Sequence, residues 1–165
     1  MTTIYTLTDS PVGELLLTGE RSADGTTLTS LTMPDHPAIG ADWERDDQAF
    51  TEATRQLSAY FAGHLTHFEL PLAAEGTEFQ QRVWQALDDI PYGATTTYGA
   101  LAERLGVPRA EVRALGAALG ANPLLLVRPC HRVIGADGSM RGYAAGVERK
   151  VQLLTHEGAL QPLLG

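Results

Sequence analysis

The sequence predicts an α/β (α+β) protein. A small N-terminal domain of antiparallel sheet plus a helix, residues 1–75, precedes a mostly helical, winged-helix-like C-terminal domain with a helix-turn-helix, residues 76–165. Three observations predict this. Period-two alternation between turn residues fills the first third of the chain. From residue 77 onward apolar residues recur at helical spacing between Gly/Pro breaks. The charge divides at the same place: residues 1–75 carry three Arg against twelve Asp/Glu, net −9, and residues 76–165 carry nine Arg/Lys against eight Asp/Glu, net +1.

In Thr3–Thr8, Ile4 and Thr6 alternate with Tyr5 and Leu7, a strand with two usable faces. Asp9–Gly13 is a turn, Leu15–Thr18 a second strand, Ala23-Asp24-Gly25 a turn and Leu28–Met33 a third strand, so the three form an antiparallel meander. Pro34, Pro37 and Gly40 make residues 34–45 a loop. Phe50, Ala53, Leu57, Tyr60 and Phe61 mark a helix stopped by Gly63. Phe68–Pro71 is short and extended, and Leu72–Gly76 is a linker. Thr77 caps a helix carrying Phe79, Val83, Trp84 and Leu87, with Glu78 favourable in its first turn. Tyr98, Leu101, Ala102 and Leu105 mark the next helix, stopped at Gly106-Val107-Pro108. A third helix runs from about Ala110 to Leu119 with Val112, Leu115, Gly116 and Leu119 inward. Two short helices about a Gly/Pro turn, with Arg109 and Arg113 on the second, read as a helix-turn-helix, a pattern shared by many helical domains. After Gly120–Pro123, Leu124–Val127 is a short apolar strand that delivers Cys130. Val133–Gly138 is a strand entering a hairpin turn, Arg141–Gly146 a small-residue loop suited to closing over a pocket, and Val147, Val151 and Leu154 mark a final helix ending near His156–Gly158.

Composition excludes several classes. The 44% apolar content suits a packed domain. One Cys excludes an internal disulfide and a cysteine-rich zinc site. Of the histidines at 36, 64, 67, 131 and 156, the His64-x-x-His67 pair alone approaches ligand spacing, and a surface turn explains it as well. No metal and no cofactor are expected. No stretch reaches the roughly 18 apolar residues of a membrane span, and MTTIYTLTDS lacks the basic and apolar regions of a signal peptide. A reduced, cytoplasmic protein is expected, with no membrane partner. Within 104–150, eight basic residues face three acidic ones, net +5, a basic face on an acidic protein.

The chemistry centres on Pro129-Cys130-His131-Arg132-Val133. A thiol attacks as thiolate, and neighbouring basic groups promote its formation. A histidine base needs an acid to hold its tautomer; Glu157 and Asp137 are the candidates. Such sets serve cysteine proteases, acyl transferases and alkyl transfer alike. The helix-turn-helix, the basic face and the glycine-rich loop favour a polynucleotide substrate, in which a duplex base must leave the stack to be reached. Arg113 is long and cationic enough to fill the vacated space.

In this order and spacing, Pro129–Val133, Phe79–Trp84, Ile90-Pro91-Tyr92-Gly93, Thr97-Tyr98-Gly99, Arg113–Gly116, Asn122-Pro123, Gly142-Tyr143 and Glu157-Gly158 resemble the O6-alkylguanine-DNA alkyltransferases in their small bacterial form. The resemblance covers nearly the whole chain. It implies a DNA-repair protein that flips O6-alkylguanine, with O4-alkylthymine a further candidate, out of double-stranded DNA from the minor groove. The alkyl group passes irreversibly to Cys130, once per molecule and with the chain as a monomer. It implies Cys130, His131, Glu157 and Tyr98 as catalytic residues, with a water completing a relay that leaves Cys130 as thiolate. Arg113 (the finger), Ala114, Tyr98, Thr97 and Arg132 are the implied DNA contacts, and Asn122 (the hinge), Tyr143, Ala144 and Arg128 the base pocket and its hinge. An alkyltransferase-like lesion binder or a protein specialised for unusual adducts is the alternative; lesion binders of that kind lack the cysteine. A winged-helix regulator of undamaged DNA is a third. Three departures stand out: Arg128 replaces an apolar Val or Ile, Pro108–Arg113 is one residue longer than usual, and Ala144-Ala145-Gly146 replaces a more glycine-rich run.

Overall fold

The structure is a computed structural model that describes residues 2–23, 25–34, 38–140 and 142–160. Asp24, His36, Pro37 and Arg141, which the sequence places in a turn, a loop and a basic face, lie outside the described residues. The chain divides into two compact units, Met1–Glu75 and Gly76–Gly165. Among the described residues no helix is long and apolar enough to cross a membrane.

The first unit holds a four-stranded sheet in the order β3-β2-β1-β4. β1 (Ile4–Thr8), β2 (Leu15–Ser22) and β3 (Gly25–Thr32) are antiparallel neighbours, as the alternation predicts. Three details differ. β2 and β3 extend through the polar residues Glu20–Ser22 and Gly25–Thr27, because a tight hairpin lets backbone pairing outrun the apolar run. Glu44–Arg45, inside the predicted loop, forms β4 and pairs parallel to β1, so the sheet is mixed. The predicted linker starts against β3: Leu28 N–H donates to Pro71 O at 2.9 Å, and Ala73 N–H to Leu28 O at 3.0 Å. The buried Gln56 side chain on α1 (Thr51–Phe61) bonds both the N–H and the C=O of Glu69 and so seats this segment. Ile4, Leu15, Leu17, Leu31, Phe50 and Tyr60 form the core.

In the second unit α2 (Glu78–Leu87) starts at Thr77 with a reciprocal capping box to Gln80, the predicted cap made stronger. α3 (Tyr98–Leu105) and α4 (Val112–Gly120) pack with α2, and Trp84 Nε1 donates to Ala118 O at 2.8 Å across that contact. An exposed 3-10 turn, Arg109–Glu111, takes up the start of the expected helix, so α4 begins two residues later than expected. On α4 the buried residues are Leu115, Ala118 and Leu119; Gly116 is exposed, contrary to expectation.

Two-residue strands β5 (Thr96–Thr97) and β6 (Val133–Ile134) pair in parallel. β6 therefore finds its partner in β5 rather than in a hairpin. The pairing matters for the site: Tyr98 follows β5 directly, and Cys130–Arg132 precede β6. The expected strand at Leu124–Val127 is instead a compact turn. Arg128 N–H donates to Leu124 O at 2.9 Å, Val127 N–H to Leu125 O at 2.7 Å, and Leu126 takes φ +71°. A leucine in the left-handed region is strained, and such strain persists where surrounding bonds over-determine it. On α5 (Val147–His156) the apolar stripe is rotated from the expected one. Val147 and Val151 are exposed, while Lys150, Leu153 and Leu154 are buried.

Candidate active site

Cys130 opens a 3-10 turn, Cys130–Arg132, whose residues are all buried. The strained turn before it is tied by Asn122: Oδ1 accepts from Leu124 N–H at 3.0 Å and Nδ2 donates to Arg128 O at 3.0 Å. Burial pushes the Cys130 thiol up to about 11, against a hydrogen bond from Asn122 and the charge of Lys150, which both favour thiolate. Burial thus opposes the thiolate that the resemblance implies, and a base that takes the proton favours it.

The base stands next to it. His131 is fully buried, and its Nε2 lies 2.8 Å from Glu157 Oε2. A carboxylate only accepts, so Nε2 carries the hydrogen and Nδ1 is the acceptor of the neutral ring. Nδ1 is buried and has no hydrogen-bond partner among the described residues. Burial holds the His131 pKa below the usual imidazole value although Glu157 raises it; Arg132 and Lys150 lower it further. Asp137, the other candidate acid, instead accepts from Ser139 N–H in the turn after β6.

Arg132 corrects the sequence expectation. It is 7% exposed, and its guanidinium faces inward. Nε and Nη2 donate to the two oxygens of Glu157 at 2.8 and 3.1 Å, and Nη1 to Ile90 O at 2.6 Å. A side chain so engaged is turned away from the surface, where the resemblance implies a DNA contact. Arg128 is 9% exposed, with Nε and Nη1 buried and without a hydrogen-bond partner among the described residues. It stands at the end of the turn that precedes Cys130.

Tyr98 is half-buried. A Cβ built on Gly142, which has φ +83°, would stand 2.7 Å from the Tyr98 hydroxyl, so only glycine brings the loop this close. Tyr143 is buried, its ring edge-on to His131 at 6.3 Å, and burial, with the charge of Cys130 when ionised and that of Glu157, pushes its hydroxyl pKa well up. Ala144 is exposed in the same loop. Thr97 caps α3, accepting from Ala100 N–H at 3.0 Å. Arg113 and Ala114 lie exposed in the first turn of α4 beside exposed Gly116, Ala117 and Gly120.

The sequence missed Lys150. Its side chain is fully buried on α5, with Nζ donating to Val133 O at 2.6 Å and lying 5.8 Å from the Tyr98 ring centroid. The signal was present: Lys150, Leu153, Leu154 and Glu157 fall at i, i+3, i+4 and i+7, one helical face. Among the described residues no group of three or more His, Cys, Asp or Glu is placed to hold a metal.

Two family models match. Residues 78–159 match the 6-O-methylguanine DNA methyltransferase DNA-binding domain, and residues 3–74 the ribonuclease-like domain of the same proteins. The chain belongs to the 6-O-methylguanine DNA methyltransferase family. Among relatives of this methyltransferase chain, the methylated-DNA–protein-cysteine methyltransferase of Mycobacterium leprae is 50% identical over 151 residues, 90% of this chain and 88% of the relative. That of Methanosarcina acetivorans is 46% identical over 94% of this chain and 98% of its own. The Mycobacterium tuberculosis OGT crystallised in complex with DNA superposes with TM-score 0.85 at 46% identity, covering 97% of this chain and 96% of that one.

Proposed function

We propose that this methyltransferase-family chain repairs O6-alkylguanine in duplex DNA by moving the alkyl group onto its own Cys130, once per molecule. The observation that carries the proposal is the buried set of thiol, imidazole and carboxylate at Cys130, His131 and Glu157, in a chain of this family. The Cys130 proton passes to His131 Nδ1 through one bridging water, and Glu157 stabilises the imidazolium that forms. The sulfur attacks the alkyl carbon in line, the S–C bond forms, and the C–O6 bond breaks with its electron pair moving onto guanine. Tyr98 supports that charge by donating a hydrogen bond to the base. Lys150, a cation acting on Cys130, favours the thiolate. The thioether is not hydrolysed, so the protein is consumed.

Arg113 fills the space of the flipped base. The small exposed residues around it on α4 allow the helix to approach the minor groove closely. A cytoplasmic site of action belongs to the same proposal, since a lone thiol of this kind suits a reducing compartment.

Mixing the protein with an O6-methylguanine duplex raises the intact-protein mass by one transferred methyl group, and Cys130→Ala abolishes the rise; folded wild-type protein without the rise refutes the proposal. Arg113→Ala slows transfer from the duplex far more than from free O6-benzylguanine. Equal losses on both substrates remove the finger role.

A further inference from the structure

The Ile90-Pro91-Tyr92-Gly93 loop has no task in the transfer scheme, yet it gathers around one side chain. The Ile90 carbonyl accepts from Arg132 Nη1 at 2.6 Å. The Tyr92 ring faces the Arg132 guanidinium, with Cζ 5.8 Å from its centroid. The Tyr92 hydroxyl reaches the His156 carbonyl at 3.5 Å. Gly93 has φ +84°, and a Cβ there would come within 3.3 Å of the Glu157 carbonyl oxygen. The loop thus touches Arg132 and the end of α5 together.

Glu157 needs such support. It caps the C-terminus of α5, where the helix dipole opposes a negative charge, and its side chain is wholly buried. A carboxylate free to rotate would present the wrong oxygen, or none, to His131. Arg132 removes that freedom with a two-point grip, Nε to Oε1 and Nη2 to Oε2, and Oε2 is the oxygen that meets His131 Nε2.

We propose that Arg132, seated by the Ile90–Gly93 loop, is a positioning residue of the transfer reaction: it locks the Glu157 carboxylate so that His131 keeps its hydrogen on Nε2 and leaves Nδ1 free to receive the Cys130 proton. The inference rests on the alkyl-transfer reading and deepens it. The charged and titratable groups acting on or packed against His131 are Glu157 and Lys150 from α5 and its end, Tyr143 from the loop before it and Arg132 from its own turn, with Cys130 its neighbour in the chain. Of these, Arg132 and Lys150 oppose a proton on the ring and Glu157 favours it.

The test uses the full chain with Arg132→Gln, Arg132→Lys and Gly93→Ala. Two readouts are taken: the pH profile of single-turnover transfer from O6-benzylguanine, and the ¹⁵N resonances of the His131 ring. Arg132→Gln is expected to slow transfer by about 100-fold through misplacement of the base, to move the acidic limb to higher pH and to mix the two ring tautomers. Arg132→Lys keeps the charge but has no two-point grip. It is expected to lose about tenfold in rate with the acidic limb unmoved, in line with a partial loss of orientation. Gly93→Ala, which disturbs the end of α5 without changing any charge, lowers the rate and leaves the limb in place. A wild-type rate in Arg132→Lys, or a rate loss in folded Arg132→Gln with neither limb nor tautomer altered, overturns the proposal. Should Arg132→Gln fail to fold, Arg132→Lys decides alone. The ring resonances separate the two layers: a pure Nε2–H tautomer in wild type that mixes in Arg132→Gln supports the positioning role even if the wild-type protein transfers no alkyl group, an outcome that would sink the transfer reading alone.

Discussion

In the first unit, oppositely charged side chains meet at the surface. Arg21 reaches Glu44 and Asp46, Arg45 reaches Asp47, and Arg55 reaches Glu52, with side chains 25–64% exposed. The second unit has a surface pair too, Arg104–Asp89, but its distinctive pairs are His131–Glu157 and Arg132–Glu157, 0–9% exposed. Exposed pairs are screened by solvent and contribute little. Buried pairs pay desolvation that a well-packed apolar side chain would avoid, so their retention points to a task other than stability. Here the task is orientation: one carboxylate, gripped on two oxygens, fixes the ring beside the only thiol. The acidic unit uses charge as surface; the unit that carries Cys130 uses charge as geometry.

The largest test of this contrast is Glu157→Ala. It strands the Arg132 cation and the His131 Nε2–H in the interior, and about 3–5 kcal/mol of unfolding free energy is expected to be lost, with transfer abolished. Urea unfolding and the mass assay measure both, and a loss under about 1 kcal/mol, the size of a surface pair, would erase the difference between the units.

Next comes pH. Burial pushes the folded Cys130 thiol to about 11, above its ordinary value of 9.0. Its contribution is fully present below pH 9 and is lost as pH rises through 11, about 2–3 kcal/mol in all. Unfolding curves at pH 8 and 10.5 for wild type and Cys130→Ser isolate this contribution, because the serine variant lacks it. On the acid side, the lowered His131 pKa contributes stability present above its unfolded value of 6.5 and lost as pH falls below it.

Arg128→Met sharpens the contrast in the opposite direction. It removes a buried cation whose Nε and Nη1 have no partner among the described residues, and a gain of about 1–2 kcal/mol is expected. A loss in the urea midpoint would show that the guanidinium is compensated after all. The smallest effect belongs to Arg55→Gln. Its hydrogen bond to Glu52 holds that carboxyl at about 2, but both groups are exposed. No change in the urea midpoint at pH 7 is expected, since the stabilisation such a depressed pKa supplies is screened there.

Much of the fold was legible because local rules act over a few residues. Thr77 capped α2 as expected, the alternation in Ile4–Thr8 formed β1, and Gly106 closed α3. What was not legible depended on distant partners. Leu124–Val127 has strand composition, but Asn122 closes it into a turn. Glu44–Arg45 becomes a strand because β1 offers an unpaired edge. The stripe on α5 was misjudged because a lysine counts as a surface residue until a buried carbonyl, that of Val133, receives it.

Residue type and order alone set the chemistry on offer: one thiol, the histidine beside it, a glutamate at a helix end and an arginine on a short second helix. Residue type and spacing are written in the chain, and so is the resemblance they carry. The tertiary structure decided which way each charge faces. Arg132, Arg128 and Lys150 are all basic in sequence. One grips Glu157, one has its Nε and Nη1 buried without a hydrogen-bond partner among the described residues, and one bonds the carbonyl of Val133 while its charge acts on Cys130. The reason is that desolvation and hydrogen-bond direction depend on what packs around a side chain, and that is set by contacts between residues far apart in the chain, as between Arg132 and Ile90, 42 positions apart.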